Sequence, residues 1–214
     1  MIPYEKKENR FFNYLGQLRI YSLVDLILFS LAIGTNYFQM IGIVLLHLGF
    51  LIFLELAHKD RGRLPFPKYS WIPFVLVGGF LYQSFFALGF LIFGFLYSRK
   101  KLRYFEGAAS FFRGLQYYFL SAGLLGFLHP VSLISGILLV FRNFAGDLRD
   151  VLKDRQEGIK TLPILLGCKK DRNHLHLIVL LGTSMVWCFI AGISPLWLIP
   201  VFVIEVGTYN WTPR

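Results

Sequence analysis

The stretch GDLRDVLKDRQEGIKTLP, residues 146–163, places three of the chain's twelve acidic residues within eight consecutive positions. At 100° per residue, Asn143, Asp147, Asp150 and Asp154 recur at i, i+4, i+7 and i+11 and share roughly 60° of one helix face. Arg149 and Lys153 are expected on the opposite side. Like charges on one face repel unless a cation sits between them. Three carboxylates at a helix end suit Mg²⁺, a hard cation that takes oxygen ligands and usually keeps waters or substrate phosphates. The chemistry suggested is therefore metal-assisted phosphate binding at Asp147, Asp150 and Asp154, with Asn143 on the same stripe. The alternative is a solvated helix end, in which acids would alternate with bases at i+4 spacing.

The elements that carry this segment are apolar. Of 214 residues, 56% are hydrophobic, 18% aromatic and only 16% charged, well below the charge of a soluble domain. Runs such as MIGIVLLHLGFLIFL are long enough to cross a bilayer. The pattern predicts an all-α, polytopic membrane protein, a single domain over residues 1–214. Helices are expected near 20–38, 40–57, 70–82, 83–98, 105–127, 131–154, 175–193 and 195–209. Pro130 would sit in the first turn of the sixth, and Gly158 with Pro163 would end the segment beyond it.

Residues 70–98 are compatible with one helix or a hairpin, and charge favours the hairpin. With a hairpin near Gly78–Gly79 or Gln83–Ser84, residues 1–19, 57–69, 99–113, 142–174 and the C-terminus share a side, and they hold all 22 Lys and Arg. That asymmetry predicts eight spans with both termini cytoplasmic. It also accounts for the net charge of +10 as a topology signal, so no nucleic-acid partner is expected; the expected partner surface is the lipid bilayer. No cleavable signal is expected in the polar, basic residues 1–19. Two cysteines, Cys168 and Cys188, are too few for a disulfide framework or a zinc site.

NFAGDLRDVLKDRQEGIKTLP, residues 143–163, resembles the second aspartate-rich motif of the UbiA-type intramembrane prenyltransferases, including its Gly-x-x-Thr-Leu-Pro exit. LRIYSLVD at 18–25 is similar to the arginine-bearing start of that family's first helix. YSRKKLR at 97–103 resembles the Tyr-Ser and basic segment after its fourth. The resemblance implies a helical bundle around a central cavity open to the cytoplasmic side, Mg²⁺ as cofactor, and a polyprenyl diphosphate whose prenyl group passes to an aromatic or polar-lipid acceptor. It further implies diphosphate contacts from Asn143, Lys160, Arg103, Lys101, Tyr97 and Arg19. Another implication is a second set of metal ligands after the second helix.

There the pattern departs. In FLELAHKDRGRLP, residues 53–65, aligning Asp60 with Asp154 puts Phe53 opposite Asp147 and leaves Glu55 one residue out of register. On a regular helix Glu55 and Asp60 lie about 140° apart. A π-bulge or early helix end would bring them together, Asp60 could act alone, or this half-site has lost its metal. The chain is also one helix short of the family's usual nine. The misregistered motif favours a second class of function, a catalytically silent relative that binds isoprenoid lipids or acts as a scaffold. Among isolated polar residues, Asp25 is expected to pair with Arg19 or a tyrosine. His47 is expected to make a helix–helix contact, and His174, His176 and Glu205 to lie at an interface. Tyr117 and Tyr118 are equally compatible with packing and with acceptor binding.

Overall fold

A computed structural model describes residues 10–57, 65–99, 105–209 and 211 of the chain, and every regular element among them is helical. The order is α1 (Arg10–Gln17), α2 (Ile20–Ala32), α3 (Tyr37–Ala57), α4 (Trp71–Tyr82), α5 (Ala87–Ser98) and α6 (Ala109–Leu125). There follow α7 (Pro130–Arg149), α8 (Val151–Gln156), α9 (Leu162–Leu165), α10 (Asn173–Ile190), a 3₁₀ turn (Pro195–Trp197) and α11 (Leu198–Tyr209). Each expected apolar segment is helical, with shifted ends. Three helices, α3, α7 and α10, are long and apolar enough to cross a membrane, whereas α2, α4 and α5 are apolar but shorter.

Local chemistry explains the boundaries. The helix expected over 20–38 stops at Ala32 because Gly34 adopts φ 70° and Thr35 folds its hydroxyl back onto the Ser30 carbonyl at 2.9 Å. Residues 70–98 form two helices broken at Gln83, which takes a left-handed φ of 58°. Pro130 occupies the first position of α7, and the His129 ring accepts the Val131 amide at 3.3 Å.

Antiparallel neighbours build the body. α4 packs along α3, α5 along α6, and α6 along α7; α10 then lies against α7 and α2, with α11 closing over α2 and α10. The core lies between α2, α3, α5, α6 and α10, where Phe29 packs on Tyr117 at 5.0 Å and on Trp187 at 5.3 Å between ring centroids. Because α4 follows α3 while α5 follows α6, a gap opens between α4 and α5. It is an apolar groove of about 380 Å³ lined by residues that include Phe50, Phe53, Trp71, Val75, Gly94 and Phe95.

The α3–α4 contact depends on missing side chains. A Cβ added at Gly78 would stand 2.7 Å from the Leu46 amide nitrogen and 2.9 Å from the Gly42 carbonyl oxygen, whereas one at Gly79 meets nothing within 4 Å. Backbone atoms cannot give way without moving a helix, so small residues set the close approach. Gly78→Leu is expected to destabilise the fold by about 1–3 kcal/mol through overpacking, and Gly79→Leu to be close to neutral. Thermal unfolding of both variants in detergent checks this.

Candidate functional site

The acidic stripe does not continue as one helix. Asp150 ends α7 at φ −110°, ψ 20°, and the chain restarts as α8. Asp147, 5% exposed, faces α6, where the Ser110 hydroxyl donates to its Oδ2 at 3.1 Å. The Asn143 amide reaches the same oxygen at 3.5 Å and the Ser110 Oγ at 3.3 Å, so Asn143 and Asp147 do share a face. Asp150 behaves differently. Its two carboxylate oxygens accept Arg149 Nε at 2.9 Å and Nη2 at 2.7 Å, a bidentate pair. Arg149 was expected on the far side of the helix; the break at Asp150 turns the carboxylate back onto its neighbour. Asp154 is buried in α8, and its carbonyl accepts the Ile159 amide at 2.8 Å as Gly158 turns the chain at φ 71°. Lys153 lies 3.9 Å from Glu157, one turn along α8.

The remaining expected ligands are dispersed or outside the described residues. Glu55 is buried near the end of α3 and accepts a hydrogen bond from Gln17 Nε2 of α1 at 3.3 Å. Lys160 pairs with Glu106 at 3.1 Å, while its carbonyl accepts the Gly107 amide at 2.8 Å. Tyr97 is buried, its ring 6.0 Å from that of Phe50. Asp60, Lys101 and Arg103 lie outside the described residues. Among the described residues no three of His, Cys, Asp and Glu come together as a metal site. With Asp147 and Asp150 held by Ser110, Asn143 and Arg149, the described donors do not by themselves fit Mg²⁺.

A second feature dominates the interior and was missed in the sequence: buried arginines. Arg113 on α6 and Arg142 on α7 are 9% and 7% exposed. Both were counted with the basic, cytoplasmic segments, but both lie inside helices. The rule that marked Asp25, an ionisable group within an apolar helix, would have found them. Arg142 forms an ion pair with Asp25, whose other oxygen accepts Thr183 at 3.1 Å and Ser184 at 3.2 Å. Arg142, not Arg19 or a tyrosine, is therefore the partner of Asp25. Arg19 lies six residues earlier, about 120° away around a regular helix.

Arg113 has no carboxylate partner among the described residues. It donates to Gln116 Oε1 at 2.6 Å, and its guanidinium lies 4.6 Å from the centre of the Phe50 ring and 5.2 Å from that of Tyr117. Arg19, in a left-handed backbone at the start of α2, and Arg142 are within electrostatic reach of Arg113. Burial opposes the Arg19 charge, but the fields of Tyr21, Tyr97 and Glu55 outweigh that cost and raise its pKa above the ordinary value. Arg149 joins the same group through its field on Arg19.

Three isolated polar residues complete the picture. His47 lies 3.4 Å from Ser22 Oγ and 3.5 Å from Tyr117 Oη, the helix–helix contact expected of it. His176 is buried with a ring nitrogen 2.7 Å from Tyr209 Oη, so it joins α10 to α11 instead of lying at an interface. Glu205 is fully buried with its Oε1 2.6 Å from the Ser184 hydroxyl oxygen, again a correction to an interfacial placement. In both cases α11 folds back over α2 and α10 and covers positions that end-of-chain location suggested would be exposed. Tyr117 is buried against His47 and Arg113, while the Tyr118 hydroxyl donates to the Phe127 carbonyl at 3.0 Å.

No protein-family model, curated protein or solved structure matches the chain.

Proposed function

We propose that the chain is an integral membrane protein that binds a polyprenyl diphosphate and transfers its prenyl group to an aromatic or polar-lipid acceptor. The carrying observation is that an apolar groove and an arginine-bearing interior share a wall. Phe50 lines the groove and also lies against the Arg113 guanidinium; Gly94, beside it, likewise lines the groove and abuts Gln116. A ligand with a long apolar tail and a polyanionic head suits both sides of that wall. The resemblance of residues 143–163 to the UbiA-type motif supports the same ligand class.

In this reading the helices surround a cavity opening on the cytoplasmic side, where α7 ends at the aspartates, and both termini lie on that side. Arg113 and Arg19 offset the charge that gathers on the diphosphate as the allylic C–O bond breaks and its electron pair moves to oxygen. Phe50, Tyr97 and Tyr117 present aromatic faces beside the allylic carbon and keep water from it. The acceptor then bonds to that carbon and loses a proton. Mg²⁺ would supply charge neutralisation on the diphosphate, with Asp147, Asp150, Asp154, Glu55 and Asp60 as the expected ligands. The described carboxylates do not yet assemble such a site, so no step is assigned to the metal.

A second reading is binding of an isoprenoid lipid without turnover. The Arg149–Asp150 pair favours it, since it occupies a carboxylate that transfer would use. One assay separates the two: purified protein with Mg²⁺, labelled geranylgeranyl or longer diphosphates, and a panel of acceptors. Transfer predicts diphosphate release that needs both Mg²⁺ and an acceptor. Saturable binding with no release supports the second reading, and absence of binding rejects both.

A smaller prediction concerns the shared wall. Arg113→Gln is expected to weaken prenyl-diphosphate binding roughly tenfold, in line with the loss of one charge-assisted contact of about 1.5 kcal/mol. Binding of the uncharged prenyl alcohol should be nearly unchanged. Equal losses for both ligands would show that Arg113 supports the fold instead of the head group.

A further inference from the structure

The junction of α2, α7, α10 and α11 holds a second cluster, separate from the aspartate segment and from Arg113. Asp25 and Glu205 are both fully buried, and Ser184 lies between them, with its Oγ 2.6 Å from Glu205 Oε1 and 3.2 Å from Asp25 Oδ1. The Asp25 carboxylate also receives Arg142 on Oδ2 and Thr183 on Oδ1. Glu205 Oε2 is buried and accepts no hydrogen bond among the described residues.

Counting hydrogens shows what is missing. The Ser184 hydroxyl has one hydrogen, yet it lies within hydrogen-bond distance of two carboxyl groups. If both were ionised, two negative charges would face one arginine, and Glu205 would keep a buried charge with a single hydrogen bond. Such a charge is strongly disfavoured without pairing. One added proton removes each difficulty. A Glu205 carboxyl donates through its Oε1 hydrogen to Ser184 Oγ, and the Ser184 hydrogen then points to Asp25 Oδ1. Charge is balanced by the Asp25–Arg142 pair.

The geometry points to a buried proton-binding site, in which one dissociable proton rests on Glu205 and is held against the Ser184 hydroxyl, whose own hydrogen points to the Asp25 carboxylate paired with Arg142. The groups acting on Glu205 are Ser184 from α10, Asp25 from α2 and Arg142 from α7, and around the Asp25–Arg142 pair stand Thr183 from α10, Tyr21 from α2 and Tyr117 from α6. His176 and Tyr209 are already joined to each other at 2.7 Å. The site does not depend on prenyl transfer.

Infrared difference spectroscopy of the full chain in lipid vesicles tests this with no ligand added. A carbonyl-stretch band of a protonated carboxyl is expected at neutral pH, sensitive to exchange into D₂O. Glu205→Gln should abolish it, Asp25→Asn should retain it, and Ser184→Ala should retain it at a shifted frequency because the hydroxyl acceptor is gone. Absence of the band at neutral pH in the unmodified chain overturns the proposal, as does its survival in folded Glu205→Gln. If Glu205→Gln does not fold, the Ser184→Ala spectrum decides: an unshifted band places the proton elsewhere.

Discussion

Arg142→Ala lowers the stability of the protein by about 3–5 kcal/mol, the cost of leaving one partner of a buried ion pair uncompensated. Asp25 would keep its hydrogen bonds from Thr183 and Ser184 but lose the only cation paired with it among the described residues. The loss is larger than for an exposed pair because neither group reaches water: Arg142 is 7% exposed and Asp25 fully buried. Adding Asp25→Asn to the same chain should recover most of the stability, since a neutral amide can still accept from both hydroxyls. Thermal unfolding in detergent, with both single variants and the double variant, measures the coupling. If Arg142→Ala unfolds at the temperature of the unmodified protein, or if the double variant recovers nothing, the ion pair does not join α2 to α7.

The second large effect is expected at Asp147. Asp147→Asn should reduce diphosphate release roughly a hundredfold if Asp147 holds Mg²⁺ against the diphosphate, the order of loss when a group that positions transition-state charge stabilisation is removed. The change keeps the side chain's shape and a hydrogen-bond acceptor for Ser110, so the fold should hold. Asp150→Asn is expected to abolish release as well if its carboxylate leaves Arg149 to meet the ligand. Should Asp150→Asn retain full activity while Asp147→Asn does not, the Arg149–Asp150 pair is a structural helix stop, and the working stripe shortens to Asn143 and Asp147. Unchanged release in both variants removes the aspartate segment from the site altogether. Stability measured alongside distinguishes loss of chemistry from loss of fold.

Legibility in the sequence differed by residue. Asn143 and Asp147 are separated by four positions on one helix, and they meet the same Ser110 hydroxyl as that spacing implies. The same reasoning failed three residues later, because Asp150 leaves helical geometry and a rotation of 100° per residue no longer applies beyond it. Gly78 marked a turn candidate by composition, yet its use is to admit the backbone of α3. The turn sits at Gln83, the second of the two positions offered for the hairpin, where the backbone is left-handed. Arg113 and Arg142 were counted correctly as charges but placed outside the interior. A charge count carries no information on which way a side chain points.

What local chemistry settles, the chain states openly: a succession of apolar helical segments, turns at 33–36, 83–86, 126–129 and 191–194 that carry no Lys or Arg, and the acidic end of α7. A helix satisfies its backbone hydrogen bonds within its own segment, so its existence follows from a short run of residues. What required the folded molecule is which polar groups meet. Asp25 finds Arg142 across 117 positions and Thr183 across 158. The groove between α4 and α5 exists because those helices chose different neighbours. Such pairings depend on how each helix is rotated and which helix lies beside it. Both are set by side-chain packing between distant segments, which periodicity within one segment cannot express.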